Sequence, residues 1–194
     1  ALWQTLTRPH LAQIRELLVV GVPIGVSIFV EVTLFTLIAL FIASLGEVVV
    51  SAHQVALNVT SLLFMLPLSL GMALTVRVGN TLGAGNLATA RFVAWHGIAL
   101  SLVIALFNDL ILWFAAEPVL SLYTHNTEVQ QVALSLIGLA MLYQISDSLQ
   151  VNMAGALRGY KDTRIIMIIT LIAYWLVGLG GGHMLGIGAF PGLA

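Results

Sequence analysis

The chain has 194 residues, of which 60% are hydrophobic and 8% charged, with a formal net charge of −1 and no cysteine. A soluble domain carries roughly 25% charged residues, so a water-facing globule is excluded and lipid must be the solvent for most of the surface. The near-neutral balance leaves no basic field to attract nucleic acid, and the lack of cysteine removes any disulfide framework.

A single signal peptide does not explain the excess, because long apolar stretches recur along the whole chain between short polar links. The chain opens at Ala1 without an initiator Met, which reads as a piece of something longer. A helix needs about 20 predominantly apolar residues to cross a bilayer. Five segments qualify, at residues 17–45, 55–76, 92–114, 132–157 and 165–185. The expected fold class is therefore all-α and integral to a membrane, a polytopic bundle of about five helices occupying residues 1–194 as one unit. The links at 46–53, 77–91, 115–129 and 158–164 contain Gly79, Gly83, Gly85, Pro118 and Gly159, the punctuation expected of turns.

The first helix contains Pro23 and, about 14 residues in, Glu31, at a depth of roughly 21 Å at 1.5 Å per residue. An ionisable side chain at a helix centre costs at least ~2.5 kcal/mol on insertion scales, so each one calls for a reason. The second helix contains Pro67 and a stripe of Gln54, Asn58 and Ser61, with His53 placed at the preceding link. Its Asn58-Val59-Thr60 match to a glycosylation acceptor lies in or next to a span and is read as chance. Pro23 and Pro67 each remove a backbone hydrogen bond and favour a kink, which serves either as static shaping or as a hinge. The third helix has Asp109, read as sitting near its outer end within reach of interfacial water. The fourth places Tyr143, Gln144, Asp147 and Gln150 three or four residues apart, and hence on one face. In the fifth, the run from Gly178 to Gly182 loosens the helix or ends it.

All seven basic residues fall on one side of this layout. Arg8 and Arg15 precede the first helix, Arg77 and Arg91 flank the second link, and Arg158, Lys161 and Arg164 fill the fourth. Because Lys and Arg in short loops stay on the cytoplasmic side, the amino-terminal end is expected to be cytoplasmic. Five spans then leave residues 186–194 outside, short of a partner helix.

Glu31 and Asp147 admit two readings, as hydrogen-bonded cross-links between helices or as charges on an ion pathway. Two carboxylates facing a water-accessible cavity suit cation exchange, with protons, sodium and organic cations competing for the same charge. Oxygens near Asp147, including that of Tyr143, would complete the shell of a hard ion such as sodium. No His-Glu-x-x-His zinc motif and no Gly-x-Gly-Asp aspartyl motif is present, so no enzymatic centre is expected.

These residues carry a family resemblance. Pro23-Ile24-Gly25 with Phe29-Val30-Glu31-Val32, then His53-Gln54-Val55-Ala56-Leu57-Asn58, Met65-Leu66-Pro67-Leu68-Ser69-Leu70, Thr75-Val76-Arg77-Val78-Gly79, Leu82-Gly83-Ala84-Gly85, Gln144 to Gln150 and Gly155 to Arg164 stand in order over nearly the whole chain. Together they resemble the carboxyl-terminal lobe of multidrug and toxic compound extrusion (MATE) transporters of the bacterial NorM type. The resemblance implies helices seven to eleven of a twelve-helix protein with two six-helix lobes, the amino-terminal lobe being missing. It implies a multi-pass protein of the bacterial inner membrane that exports cationic drug-like molecules by antiport with sodium or protons, without a cofactor. Glu31, Asp147 and Tyr143 match its cation-binding positions, Glu31 and Asp147 serving as sodium ligands if sodium is the coupling ion. Phe35 matches an aromatic position near the cavity, which Gln54, Asn58, Gln144 and Gln150 would also line. Where the family pattern implies a proline in the eleventh helix, this sequence reads Leu179-Gly180-Gly181. The rival reading is a lipid-linked saccharide flippase or a channel-like protein. Anionic substrates would call for Arg or Lys in the cavity, and no basic residue lies inside any expected span.

Overall fold

The computed structural model describes residues 10–181. Arg8, Gly182, the end of the expected fifth span and the carboxyl-terminal segment lie outside the described residues. Five α-helices follow in order, α1 (Leu11–Ala43), α2 (Glu47–Gly83), α3 (Leu87–Tyr123), α4 (Thr127–Gly159) and α5 (Thr163–Leu171), the last continuing as a π-helix over Ile172–Gly181. The first four are long and apolar enough to cross a membrane. The all-α membrane bundle expected from composition is thus the fold observed.

The helices outrun the hydropathy windows. At 33 to 37 residues each, α1 to α4 measure about 50–55 Å against a hydrocarbon core of about 30 Å. Their polar ends stay helical in the interface, where water satisfies what lipid does not. Gly79, Gly83, Pro118 and Gly159, expected in turns, are therefore helical, and His53 sits in the second turn of α2. The real links are three residues long. Gly46 and Gly85 make two of them with φ of 101° and 74°, and Lys161 at φ 61° makes a third. Asn86 caps α3 by accepting from the Thr89 N–H at 2.9 Å, and Asn126 caps α4 by accepting from the Glu128 N–H at 2.9 Å. Asn side chains favour this position because the first helical N–H groups have no partner of their own.

The chain divides into two units. One holds the described residues up to Phe35 and from Asp162 onward, and the other is Thr36–Lys161. In the first unit α1 runs through Pro23, whose carbonyl accepts from the Ser27 hydroxyl at 2.9 Å. The glycine run expected to loosen the fifth helix lies, as far as Gly181, in the π-helical winding.

In the second unit α2, α3 and α4 pack on one another. An apolar cluster at one end joins Ala52, Ala56 and Val59 of α2, Leu112, Ala116 and Leu120 of α3, and Val129, Ala133 and Ile137 of α4. At the other end Val78, Ala90, Ala94 and Ala156 form a second cluster. Glycines bring the helices together there, as is usual when lipid gives no hydrophobic drive for association. A Cβ on Gly155 would overlap the Gly71 carbonyl, and one on Gly159 would stand 2.7 Å from the Val78 Cβ. The Thr75 hydroxyl spans this crossing, 2.9 Å from the Gly155 carbonyl and 3.0 Å from that of Gly71.

Between the two clusters the packing turns polar. Pro67 has no N–H to give the Leu63 carbonyl one turn back, and Asn108 of α3 donates to that carbonyl instead, at 3.0 Å. Asn152 of α4 donates to the Pro67 carbonyl at 3.2 Å and to that of Ser148 at 2.8 Å. The Ser148 hydroxyl donates to the Ser101 carbonyl at 3.1 Å. Held from both neighbours, the Pro67 segment suits static shaping better than a hinge.

This arrangement makes a double-substitution test. Asn108→Ala should cost about 1–3 kcal/mol, the usual penalty for stranding a buried polar group. Pro67→Ala restores an N–H to the Leu63 carbonyl, so Asn108→Ala in that background should cost less than half as much. Reversible unfolding in mixed micelles measures both. Equal losses in the two backgrounds would show that Asn108 does not stand in for the missing N–H.

Candidate functional site

The eight residues singled out from sequence fall in both units. Glu31 and Phe35 stand one turn apart on α1 in the first unit, Glu31 exposed and Phe35 53% exposed. Gln54, Asn58, Tyr143, Gln144, Asp147 and Gln150 belong to the second.

On α4 the expected common face splits in two. Successive helical positions differ by about 100°, so Tyr143, Asp147 and Gln150 make one stripe and Gln144, Ser148 and Asn152 the next. Tyr143 is 51% exposed, Asp147 half-buried and Gln150 exposed, so this stripe forms an open flank of the bundle. Gln144, at 2% exposure, instead turns into the packing between helices. The correction follows from its i, i+4, i+8 alignment with Ser148 and Asn152, a spacing already visible in the sequence.

The flank is joined to α2. Tyr143 stands near enough to Thr60 for their side chains to interact and lies in the electrostatic field of Asp147. Thr60 is buried and donates its own hydroxyl to the Ala56 carbonyl at 2.9 Å. Gln54, Asn58 and Ser61 are exposed on α2, outside the buried seam.

Ser101, Asn108, Ser148 and Asn152, which the sequence reading did not single out, are buried in the seam together with Asp109 and Gln144. Asp109 is the main correction. With α3 running on to Tyr123, it sits within about one turn of the helix middle rather than near an end, and it is 9% exposed. The Asn108 and Asn152 Oδ1 atoms, the Asp109 Oδ1 and the Gln144 Nε2 are buried without a hydrogen-bond partner.

Among the described residues no group of three His, Asp or Glu side chains gathers as a ready metal centre.

Residues 23–182 match the family model MatE. Multidrug resistance protein PmpM of Pseudomonas aeruginosa is 49% identical over 179 residues, or 92% of this chain and 38% of that protein. Multidrug resistance protein MdtK of Edwardsiella ictaluri is 48% identical, covering 91% of this chain and 38% of its own length. Multidrug resistance protein NorM of Photobacterium profundum is 45% identical, covering 93% and 40%. The chain spans about two fifths of the length of these relatives.

The Tyr143–Thr60 contact can be checked by a double-mutant cycle. Interhelical side-chain pairs in membranes average about 0.6 kcal/mol and reach about 1.7. Tyr143→Phe and Thr60→Val should each destabilise the protein slightly, with a coupling energy in that range when combined. Strict additivity would mean that the two side chains do not support one another.

Proposed function

This chain belongs to the MatE family, and from that premise we propose that it is part of a multi-pass transporter of the bacterial inner membrane that exports cationic drug-like molecules in exchange for sodium or protons. Its nearest partners would then be the drug, the coupling cation, surrounding lipid and a further lobe, the relatives being longer than the matched stretch. The relatives, each named a multidrug resistance protein, support the drug class.

The observation that carries the reading is the placing of acidic side chains on apolar helices. Glu31 stands on α1 and Asp147 on α4, far from either helix end. Ionisable residues at such positions in membrane helices mark ion pathways. Binding drug or coupling ion at the same charge, but not both, is the simplest way to tie their movements together. Tyr143 would orient the Asp147 site by bridging it to Thr60 on α2. Phe35, beside Glu31, offers an aromatic face to an organic cation.

Charge also supports an orientation. Arg77, Arg91, Arg158 and Lys161 gather where α2 ends, α3 begins and α4 ends, whereas Glu47, Glu117 and Glu128 lie at the opposite end of these helices. The basic end would face the cytoplasm. Single cysteines at Val49 and Thr127 should react with an impermeant thiol reagent in intact cells. One at the exposed Lys161, a better probe than the buried Thr163, should react only after permeabilisation. Labelling of Lys161→Cys in intact cells would reverse the orientation.

The exchange itself is tested by Glu31→Gln and Asp147→Asn in the complete transporter. Both keep shape and hydrogen-bonding capacity and remove charge. Coupling free energies of ~1–3 kcal/mol correspond to ~5–150-fold effects. Efflux of a cationic dye under an imposed sodium or proton gradient, normalised to folded protein, should fall by at least about fivefold in each. Parent-level efflux in both variants would leave these carboxylates as packing groups.

A further inference from the structure

Asp109 differs from the two carboxylates that the proposed exchange uses. It is the most deeply buried of the described acidic side chains, and its Oδ1 has neither solvent nor a hydrogen-bond partner. It lies on the stripe of α3 that packs against α2 and α4.

Two more unpartnered atoms come to the same level. Asn108 spends its amide N–H on the Leu63 carbonyl, so that its orphaned atom is the acceptor Oδ1, on a residue with no exposed surface. On α4, Ser148 meets Ser101 and Ile137 shares a cluster with Leu112. This antiparallel register sets Asp109 opposite Ala140, with Gln144 and its unpartnered Nε2 one turn along. Three of the five buried unpartnered side-chain atoms found among the described residues thus fall within about one helical turn. Such a group marks a place where a bound species is to be expected.

Charge decides which kind. The α4 residues at the level of Asp109 are Ala140 and Gln144, neither of them charged, and α2 contributes His53 more than two turns away. The nearest basic residues of the unit, Arg77, Arg91, Arg158 and Lys161, stand on the order of 20–30 Å away along the helix axes at 1.5 Å per residue. A carboxylate buried without a countercharge is too costly to persist, and the unpartnered amide oxygen of the adjoining residue Asn108 is a ligand type suited to a small hard cation.

We propose that Asp109 is a further cation-binding site of this protein, taking a proton or a sodium ion at its carboxylate beside the Asn108 amide oxygen. A proton gives Asp109 an O–H to donate to a neighbouring acceptor while its other oxygen still accepts from a donor such as the Gln144 amide. A sodium ion would use the carboxylate and amide oxygens as ligands. The site stands on its own geometry. Only its contribution to transport rests on the proposed function.

The test is infrared difference spectroscopy of the purified protein in lipid nanodiscs, labelled with carbon-13 at aspartate carboxyls, with and without sodium. The parent should show a protonated aspartate carbonyl band in sodium-free buffer that is absent from Asp109→Asn. If the band persists when sodium is added, the bound species is a proton. If sodium abolishes it and Asp109→Asn binds one sodium ion fewer, sodium is the occupant. Asn108→Ala keeps the carboxyl but removes its amide neighbour, so the band should shift rather than vanish. This variant serves where Asp109→Asn fails to fold. Two results overturn the proposal. One is equal proton and sodium binding by parent and Asp109→Asn, and the other is a band that survives in Asp109→Asn and disappears in Asp147→Asn. The latter would assign the cation to the flank and leave the exchange reading standing without this site.

Discussion

A backbone carbonyl left without a donor in a membrane has no water to turn to, and α2 carries one at Leu63 because Pro67 lacks an N–H. The Asn108 amide meets it from α3, and the Asn152 amide takes the Pro67 carbonyl from α4. Those two bonds set α2, α3 and α4 at a common level. Once they are made, Ser148 comes opposite Ser101, the glycine crossing at Gly71 and Gly155 closes, and Thr75 bridges it. The proline thus acts as a registration mark whose missing hydrogen bond is supplied by its neighbours.

The second unit consequently reverses the layering of a water-soluble domain along its length. Apolar clusters lie towards the two ends, and the polar side chains meet between them. Lipid makes this economical. Apolar side chains gain little from leaving hydrocarbon for a helix interface, so association leans on close backbone approach at small residues and on hydrogen bonds that have no competing water. The price falls on exactness of fit: a methyl group added at Gly155 meets the Gly71 backbone and has no room.

Much of this was legible in the sequence. Apolar length alone identifies α1 to α4, because roughly 20 apolar residues have few other uses. The helix ends were not legible, since hydropathy registers the hydrocarbon boundary and not the point where hydrogen bonding stops. That one error carried Asp109 from the middle of α3 to its edge and His53 out of α2. Gln144 was misplaced for a different reason. A rule that collects positions three and four apart will accept 143, 144, 147 and 150 together, although tertiary packing divides them between the open flank and the buried stripe. Asn108 gave no local signal, because its partner is a carbonyl 45 residues away that only the fold brings near.

The interhelical bonds described in the seam share one chemistry. Asn108, Asn152, Ser148 and Thr75 are neutral donors, and each gives to a backbone carbonyl. Such bonds keep their strength when the charge state of a nearby carboxylate changes, because neither partner titrates in the accessible range. A scaffold held this way lets cations come and go without undoing its own register. It also separates two kinds of substitution. Removing a neutral donor should be felt first as lost stability, whereas exchanging a carboxylate for its amide leaves the scaffold's own hydrogen bonds in place and alters only what the site can hold.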